Sequence, residues 1–171
     1  MKRGYTILFA VLVSSILLTI GVSIVFISRK QIIITGSARE SQFAFYAANA
    51  GLECVMFHDY FNGAVFATSS SQPSASVPFD CNGQTITAIG SKTGATATWE
   101  GDKYRFEFSM PVDITAGSCA TVRIDKYKAR ATGQMKTVVE SRGYNLGYQA
   151  ATPDCLGRHA AKVERAIRAS Y

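Results

Sequence analysis

The stretch that decides the fold is Tyr5–Ile27, YTILFAVLVSSILLTIGVSIVFI, which contains no charged residue. At about 1.5 Å rise per residue it would form a helix of roughly 35 Å, enough to cross a hydrocarbon core of about 30 Å. Lys2 and Arg3 precede it, and Arg29 and Lys30 follow it. A cleaved secretory signal has an apolar run of only roughly 7–15 residues that leads to a small-residue cleavage site. We therefore expect this segment to be retained and to begin in a membrane.

The remainder of the 171-residue chain is long enough for one domain with a sizeable core. The formal net charge is +6, and the basic residues on both sides of the apolar run supply much of it. What remains is mildly basic, which by itself is typical of a solvated surface rather than of a nucleic-acid-binding domain.

The chain contains four cysteines, Cys54, Cys81, Cys119 and Cys155, and no CxxC pair. Their spacing argues against a zinc site or a thioredoxin-type motif. An even number of cysteines beyond a membrane segment favours two disulfides in an oxidising compartment, although four buried thiols are the alternative. Of the three possible pairings we favour Cys54–Cys81 with Cys119–Cys155, because each pair encloses one plausible structural loop.

The helical pattern continues beyond the apolar run, because 31–61 contains no proline. Four apolar residues recur at helical spacing and would form one stripe: Phe45, Ala48, Leu52 and Val55. We predict one nearly continuous helix from Tyr5 to about Phe61, followed by a turn at Asn62–Gly63.

Ala67–Pro78 is rich in serine and proline and is predicted to be an exposed loop. From Phe79 onward the apolar residues alternate, which indicates strands. The predicted strands are Gln84–Ile89, Thr96–Trp99, Tyr104–Met110, Cys119–Tyr127 and Met135–Ser141. Glu100–Lys103 has the composition of a hairpin turn between the second and third of these. Ala120, Val122 and Ile124 are expected to point inward.

We find no catalytic motif in the sequence and expect neither enzymatic activity nor a cofactor or metal. The two histidines, His58 and His159, lie far apart in the chain, and His58 beside Asp59 at a helix end is predicted to be a capping or surface pair. The basic residues that come nearest to a nucleic-acid site are Arg123, Lys126, Lys128 and Arg130, which makes nucleic acid a weakly supported partner.

The N-terminus, MKRG followed by YTILFAVLVSSILLTIG, resembles the class III signal of type IV prepilins. This resemblance implies that a prepilin peptidase cuts between Gly4 and Tyr5, that the amine of Tyr5 is methylated, and that the apolar helix stays in the mature protein. The segment ESQFAFYAANAGLECVMFHD (Glu40–Asp59) is similar to the AF-x-AA-x-AGLE segment of the outer helix in PilX-like and related pilin-like proteins. Its alanines and glycine would allow close packing on a sheet.

One position departs from the typical pilin pattern. The family has a glutamate at the fifth mature position, and this chain has Phe9 there. The resemblance is therefore to atypical members, the tip subunit of type II secretion pseudopili and the PilX-like minor pilins. A carboxylate is costly in lipid, and the apolar run Tyr5–Ile27 does not carry one.

Ser15, Thr19 and Ser23 recur every four residues within the apolar run and would share one helix face. Such a stripe of small residues lets membrane helices approach closely. The alternative is that each hydroxyl bonds the carbonyl four residues before it in the same helix and has no further role.

Taken with the resemblance, these patterns predict an α+β fold of the type IV pilin ladle type, with a long N-terminal helix packed on an antiparallel sheet of about four strands. The divisions are a leader (1–4), the helix (5–61, with 5–27 as transmembrane segment and filament core) and a β-sheet domain (62–171). The pattern of Ala161–Tyr171 fits either a helix or a strand, and the resemblance favours a strand.

The expected function is that of a structural subunit of a type IV pilus or pseudopilus. Its partners would be other pilin subunits and the prepilin peptidase, and it would pass from the inner membrane to an extracellular filament on the cell surface. The alternative is a membrane-anchored extracellular module that binds DNA or another surface ligand without polymerising.

Overall fold

The structure is a computed structural model that describes residues 3–61, 65–66, 76–148, 154–155, 157 and 160–171. Within these residues it has one helix, α1 (Arg3–Tyr60), and a six-stranded sheet. The strands are β1 (Ser76–Cys81), β2 (Gln84–Thr93), β3 (Trp99–Asp113), β4 (Ser118–Ala129), β5 (Met135–Tyr144) and β6 (Glu164–Ser170). Each strand pairs antiparallel with the next in the chain. The predicted α+β class is confirmed, and the expected number of about four strands is wrong.

The chain divides into two compact units, Met1–Arg39 and Glu40–Tyr171. In the first unit the described residues are helical, and every one from Tyr5 to Arg39 is exposed. The absence of proline from this part of the chain is consistent with the uninterrupted helix.

In the second unit, one face of the sheet forms the core beneath the last part of α1. The predicted inward residues Ala120, Val122 and Ile124 are fully buried on β4. An aromatic cluster fills one side of this core, with ring centroids 4.9–6.5 Å apart: Phe66, Phe79, Phe106 and Phe108.

Small residues set the distance between α1 and the sheet. A Cβ on Gly143 of β5 would fall inside contact distance of the Ala44 carbonyl and the Ala48 amide, and would lie 2.9 Å from the Ala47 carbonyl carbon. The three alanines are fully buried. The helix backbone therefore lies directly on β5, as the alanine-rich and glycine-containing sequence of this part of the helix predicts.

The predicted apolar stripe of the helix is only partly correct. Ala48 and Val55 are buried and Leu52 is half-buried, but Phe45 is 50% exposed. A phenylalanine cannot fit where the helix and β5 backbones nearly touch, so the buried face is rotated toward the alanines.

Polar contacts fix both ends of the packed part of α1. At its start, Asn145 Nδ2 donates to Glu40 Oε2 (2.7 Å). At its end, Asp59 pairs with Lys126 and accepts a hydrogen bond of 2.8 Å from the Tyr171 hydroxyl. This last contact ties the chain's final residue to the helix. The strand predicted at the C-terminus is confirmed as β6.

The strand boundaries correct two predictions. Glu100–Lys103 is not a hairpin turn, because β3 runs through it with a register shift between Glu100 and Tyr104. Gly101 has φ of 73°, which permits a bulge that bends the strand without reversing it. The chain reverses before Trp99, where Trp99 Nε1 donates to the Gly94 carbonyl (3.0 Å). The predicted strand Thr96–Trp99 is therefore wrong.

The hairpin between β1 and β2 was not predicted. Asn82 and Gly83 both have positive φ, 53° and 71°, between the paired residues Cys81 and Gln84. Asn-Gly is the strongest short hairpin signal, and it was available in the sequence. The predicted loop Ala67–Pro78 ends too late, because Ser76 already belongs to β1; its residues 67–75 lie outside the described ones.

Candidate functional site

The first candidate functional element is the N-terminal part of α1. This helix is long and apolar enough to cross a membrane by length and composition. Tyr5 is 77% exposed and Phe9 is 58% exposed. Residues 1–2 of the predicted leader lie outside the described residues, and the expected cleavage point after Gly4 falls in the first turn of the described helix.

The hydroxyls of the predicted stripe bond within their own helix. Ser15 Oγ donates to the Leu12 carbonyl and Thr19 Oγ1 to the Ile16 carbonyl, both at 2.8 Å, and Ser23 Oγ donates to Thr19 at 2.8 Å. The hydroxyls therefore bond within the helix, as the second alternative expects, but only Ser23 uses the carbonyl four residues back, and Ser15 and Thr19 use the one three residues back. This bonding also means that the stripe presents small side chains whose donors are satisfied, so an apolar neighbour could cover it without leaving a hydroxyl hydrogen unpaired. Close helix approach along this stripe stays a prediction.

The two predicted disulfides are confirmed. Cys54–Cys81 joins α1 to the end of β1, with the Cα atoms 6.1 Å apart. Cys119–Cys155 joins the start of β4 to the chain before β6, with the Cα atoms 5.9 Å apart. Disulfides form and persist in oxidising compartments, so both bonds indicate an extracytoplasmic location for this part of the chain.

The basic residues considered for nucleic-acid binding do not form one surface. Arg123 lies on the sheet face away from the helix, where its Nε donates to Glu107 Oε1 at 2.7 Å. Lys126 lies on the helix side and pairs with Asp59. Lys128 pairs with Glu100 at 3.2 Å. A binding surface needs unpaired cations on one exposed face, so this arrangement gives a nucleic-acid partner no support.

The outer sheet face instead carries ion pairs across neighbouring strands. Asp125 accepts hydrogen bonds from Arg105 Nε (2.7 Å) and Nη2 (3.2 Å), and Lys103 Nζ lies 3.0 Å away. Burial acts to raise the pKa of Asp125, but the bonds from Arg105 and Lys103 outweigh it and hold the pKa below its ordinary value. Ion pairs therefore link neighbouring strands on the outer face of the sheet.

His58 is not the surface pair predicted from the sequence. It is 7% exposed, and its ring packs edge-on against Phe57 and Phe79. Nε2 donates to the Asp80 carbonyl at 2.8 Å. Asp59 instead contacts Lys126. His159 lies outside the described residues.

His58 also belongs to the only group of three metal-type ligands among the residues that the structure describes. A ring nitrogen of His58 and the sulfurs of Cys54 and Cys81 all lie within 4.8 Å of one another. The sequence argument considered only CxxC spacing and so missed it. The available signal was the i, i+4 spacing of Cys54 and His58, which places both on one helix face.

Comparison with known proteins adds no assignment. No protein-family model matches the chain, and no curated protein and no solved structure matches it significantly.

Proposed function

We propose that the chain is a structural subunit of a type IV pilus or a related pseudopilus filament, assembled through α1. The observation that carries the proposal is the contrast along this helix. Every residue from Tyr5 to Arg39 is exposed, whereas the later part of the helix packs on a six-stranded antiparallel sheet. Within this exposed part, Tyr5–Ile27 carries no charge and is apolar all round, and such a helix needs lipid or other helices as its surroundings.

The energetics of burial explain why such a segment could be stable both in lipid and among the helices of a filament. Covering a large aliphatic or aromatic side chain is worth about 1.5–3 kcal/mol relative to water, so the exposed run cannot stay in water. Lipid satisfies it before assembly. In a filament, helices of neighbouring subunits replace the lipid, and packing of small residues favours that exchange. No bond-making chemistry in this chain is required.

In this proposal Phe9, in place of the glutamate, favours a minor or tip position, or a lineage whose filaments assemble without that glutamate. The resemblance to pilins without the glutamate carries this step. Phe9 can be covered by apolar neighbours at no desolvation cost for a charge. The precursor would reside in the inner membrane and lose residues 1–4 to a prepilin peptidase. The mature subunit would begin at N-methylated Tyr5 and end in an extracellular filament.

The test is to shear surface filaments from the native cells and identify the subunits by mass spectrometry. We expect peptides that begin at methylated Tyr5, in trace amounts, and loss of filaments on deletion. Abundant recovery would establish a major subunit instead. Recovery only in washed membranes, with filaments unaffected by deletion, would refute the proposal and leave a membrane-anchored module.

Processing can be tested with a matched pair of variants. Gly4→Val should leave the leader attached and abolish complementation of the deletion. Gly94→Val changes a glycine with open space around it and should be processed normally. Equal processing of both variants would contradict cleavage after Gly4.

The hydroxyl stripe has its own control. Ser14 bonds the Ala10 carbonyl in the same way as the stripe residues but lies about 100° away from Ser15 around the helix. Thr19→Leu should reduce filament yield more than Ser14→Leu, because it widens the stripe. Equal yields would show that this face is not in a helix contact.

A further inference from the structure

We propose that the dithiol form of this chain binds a Zn²⁺ ion through the thiolates of Cys54 and Cys81 and a ring nitrogen of His58. This inference does not depend on filament assembly. It rests on the packing of the end of α1 against the end of β1.

The backbone brings the three ligands together. Cys54 and His58 are four residues apart and share one face of α1. The Asn82–Gly83 turn ends β1 at Cys81, whose Cα lies 6.1 Å from that of Cys54. In a tetrahedral site with Zn–S bonds of about 2.3 Å, the two sulfurs are roughly 3.8 Å apart. In this structure the two sulfurs are bonded to each other and the ring nitrogen lies within 4.8 Å of both, so reduction has only to let the sulfurs separate beside the histidine.

The surroundings of His58 fit a metal ligand. Nε2 donates to the Asp80 carbonyl at 2.8 Å, so an ion that leaves this hydrogen bond in place would have to bind through Nδ1. Metal-binding histidines generally donate their other N–H to a carbonyl or carboxylate, which fixes the ring and its tautomer. The packing of Phe57 and Phe79 against the ring holds its orientation further.

The site is open on one side. Cys54, His58 and Cys81 line a cavity of about 930 Å³, which gives an ion a route in and leaves room for water as a fourth ligand. Three protein ligands with one open position are typical of accessible zinc sites rather than closed structural ones.

Metal binding and the disulfide exclude each other. Binding requires both thiols to lose a proton, so each Zn²⁺ ion releases two protons and leaves the histidine neutral. The sulfurs of the disulfide seen in this structure are not thiolates and cannot serve as these ligands. The chain would therefore take up the ion only in its reduced state.

The second disulfide supplies an internal control. Cys119 and Cys155 are buried, and no histidine or carboxylate joins them in a ligand group among the described residues. Loss of this pair should leave the proposed site intact.

The experiment uses the full-length protein in detergent micelles, reduced with a phosphine, freed of reductant under argon, and titrated with Co²⁺ and then Zn²⁺. The reduced protein should bind one Co²⁺ ion with a near-ultraviolet sulfur-to-cobalt charge-transfer band and tetrahedral visible bands, and Zn²⁺ should remove both. The oxidised protein should show neither. An oxidised protein that binds with the same spectrum would overturn the proposal.

Variants separate this site from binding by loose cysteines. His58→Gln keeps a donor for the Asp80 carbonyl and should bind Co²⁺ at least tenfold more weakly, with circular dichroism unchanged. Cys119→Ser/Cys155→Ser should bind one ion as before, and Cys54→Ser/Cys81→Ser should bind none. If the two cysteine pairs contribute equally, as in an unfolded chain, or if His58→Gln binds like the wild type, the proposal is wrong.

Discussion

Gly143→Ala tests the contact on which the fold of the second unit depends. A methyl group at this position would meet the backbone of α1 at Ala44 and Ala48, at separations that Cβ atoms do not adopt. These are backbone atoms of a helix, which cannot rotate away as a side chain can. The helix must therefore move off β5, by on the order of 1 Å.

The cost follows from the contacts that this movement weakens. A gap of about 0.5–1 Å forfeits roughly a quarter to a half of the dispersion energy across it. The contacts affected include those of the fully buried Ala47 and Val55. Overpacking in cores typically costs about 1–3 kcal/mol. We expect the upper end, about 3 kcal/mol, because the clashing atoms are rigid.

Thermal unfolding in detergent measures this loss through the fluorescence of Trp99, the only tryptophan. At about 2–4 °C per kcal/mol for a chain of this size, Tm should fall by roughly 6–12 °C. Gly94→Ala is the control, because Gly94 has open space and an ordinary φ, and it should change stability by less than about 1 kcal/mol. If Gly143→Ala melts within 2 °C or so of Gly94→Ala, the close approach of helix and strand is wrong.

Three further changes test polar groups. Ser141→Ala should stabilise by about 1 kcal/mol in urea unfolding, because its buried Oγ has no hydrogen-bond partner among the described residues; a loss of stability would contradict this. The lowered pKa of Asp125 beside Arg105 contributes stability that is present above about pH 4 and lost on acidification. The urea midpoint of Asp125→Asn should therefore depend less on pH below about pH 4 than that of the wild type. Burial and the bond to Asp59 raise the pKa of Tyr171, so wild-type stability should fall above about pH 10, whereas Tyr171→Phe should cost about 1 kcal/mol at pH 7 and show a smaller fall, with Tyr144, whose pKa burial also raises, supplying the rest.

The long helix α1 could be predicted because its signal is local. An uncharged run followed by a proline-free stretch specifies a helix, since each hydrogen bond joins residues four apart. The structure has this helix as α1. The favoured disulfide pairing, in which each bond encloses one structural loop, was also correct, although the spacing of four cysteines allows three pairings.

The sheet was predicted less well where a single residue decides whether a turn-like sequence forms a hairpin or a bulge. Gly101 in a positive-φ conformation turns an apparent hairpin into a bulge within β3, and only the pairing with β4 decides between them. The true hairpin at Asn82–Gly83 had a clear signal that was overlooked.

What the sequence by itself determined was therefore the existence of the long helix and the change from helical to strand periodicity. Tertiary structure alone decided which helix face is buried, because that depends on how closely Gly143 lets the helix approach β5. It also decided the surroundings of His58. The i, i+4 spacing places His58 beside Cys54, but only the folding of β1 against the helix adds Cys81, since a site built from two elements exists only when their packing fixes the distance between them.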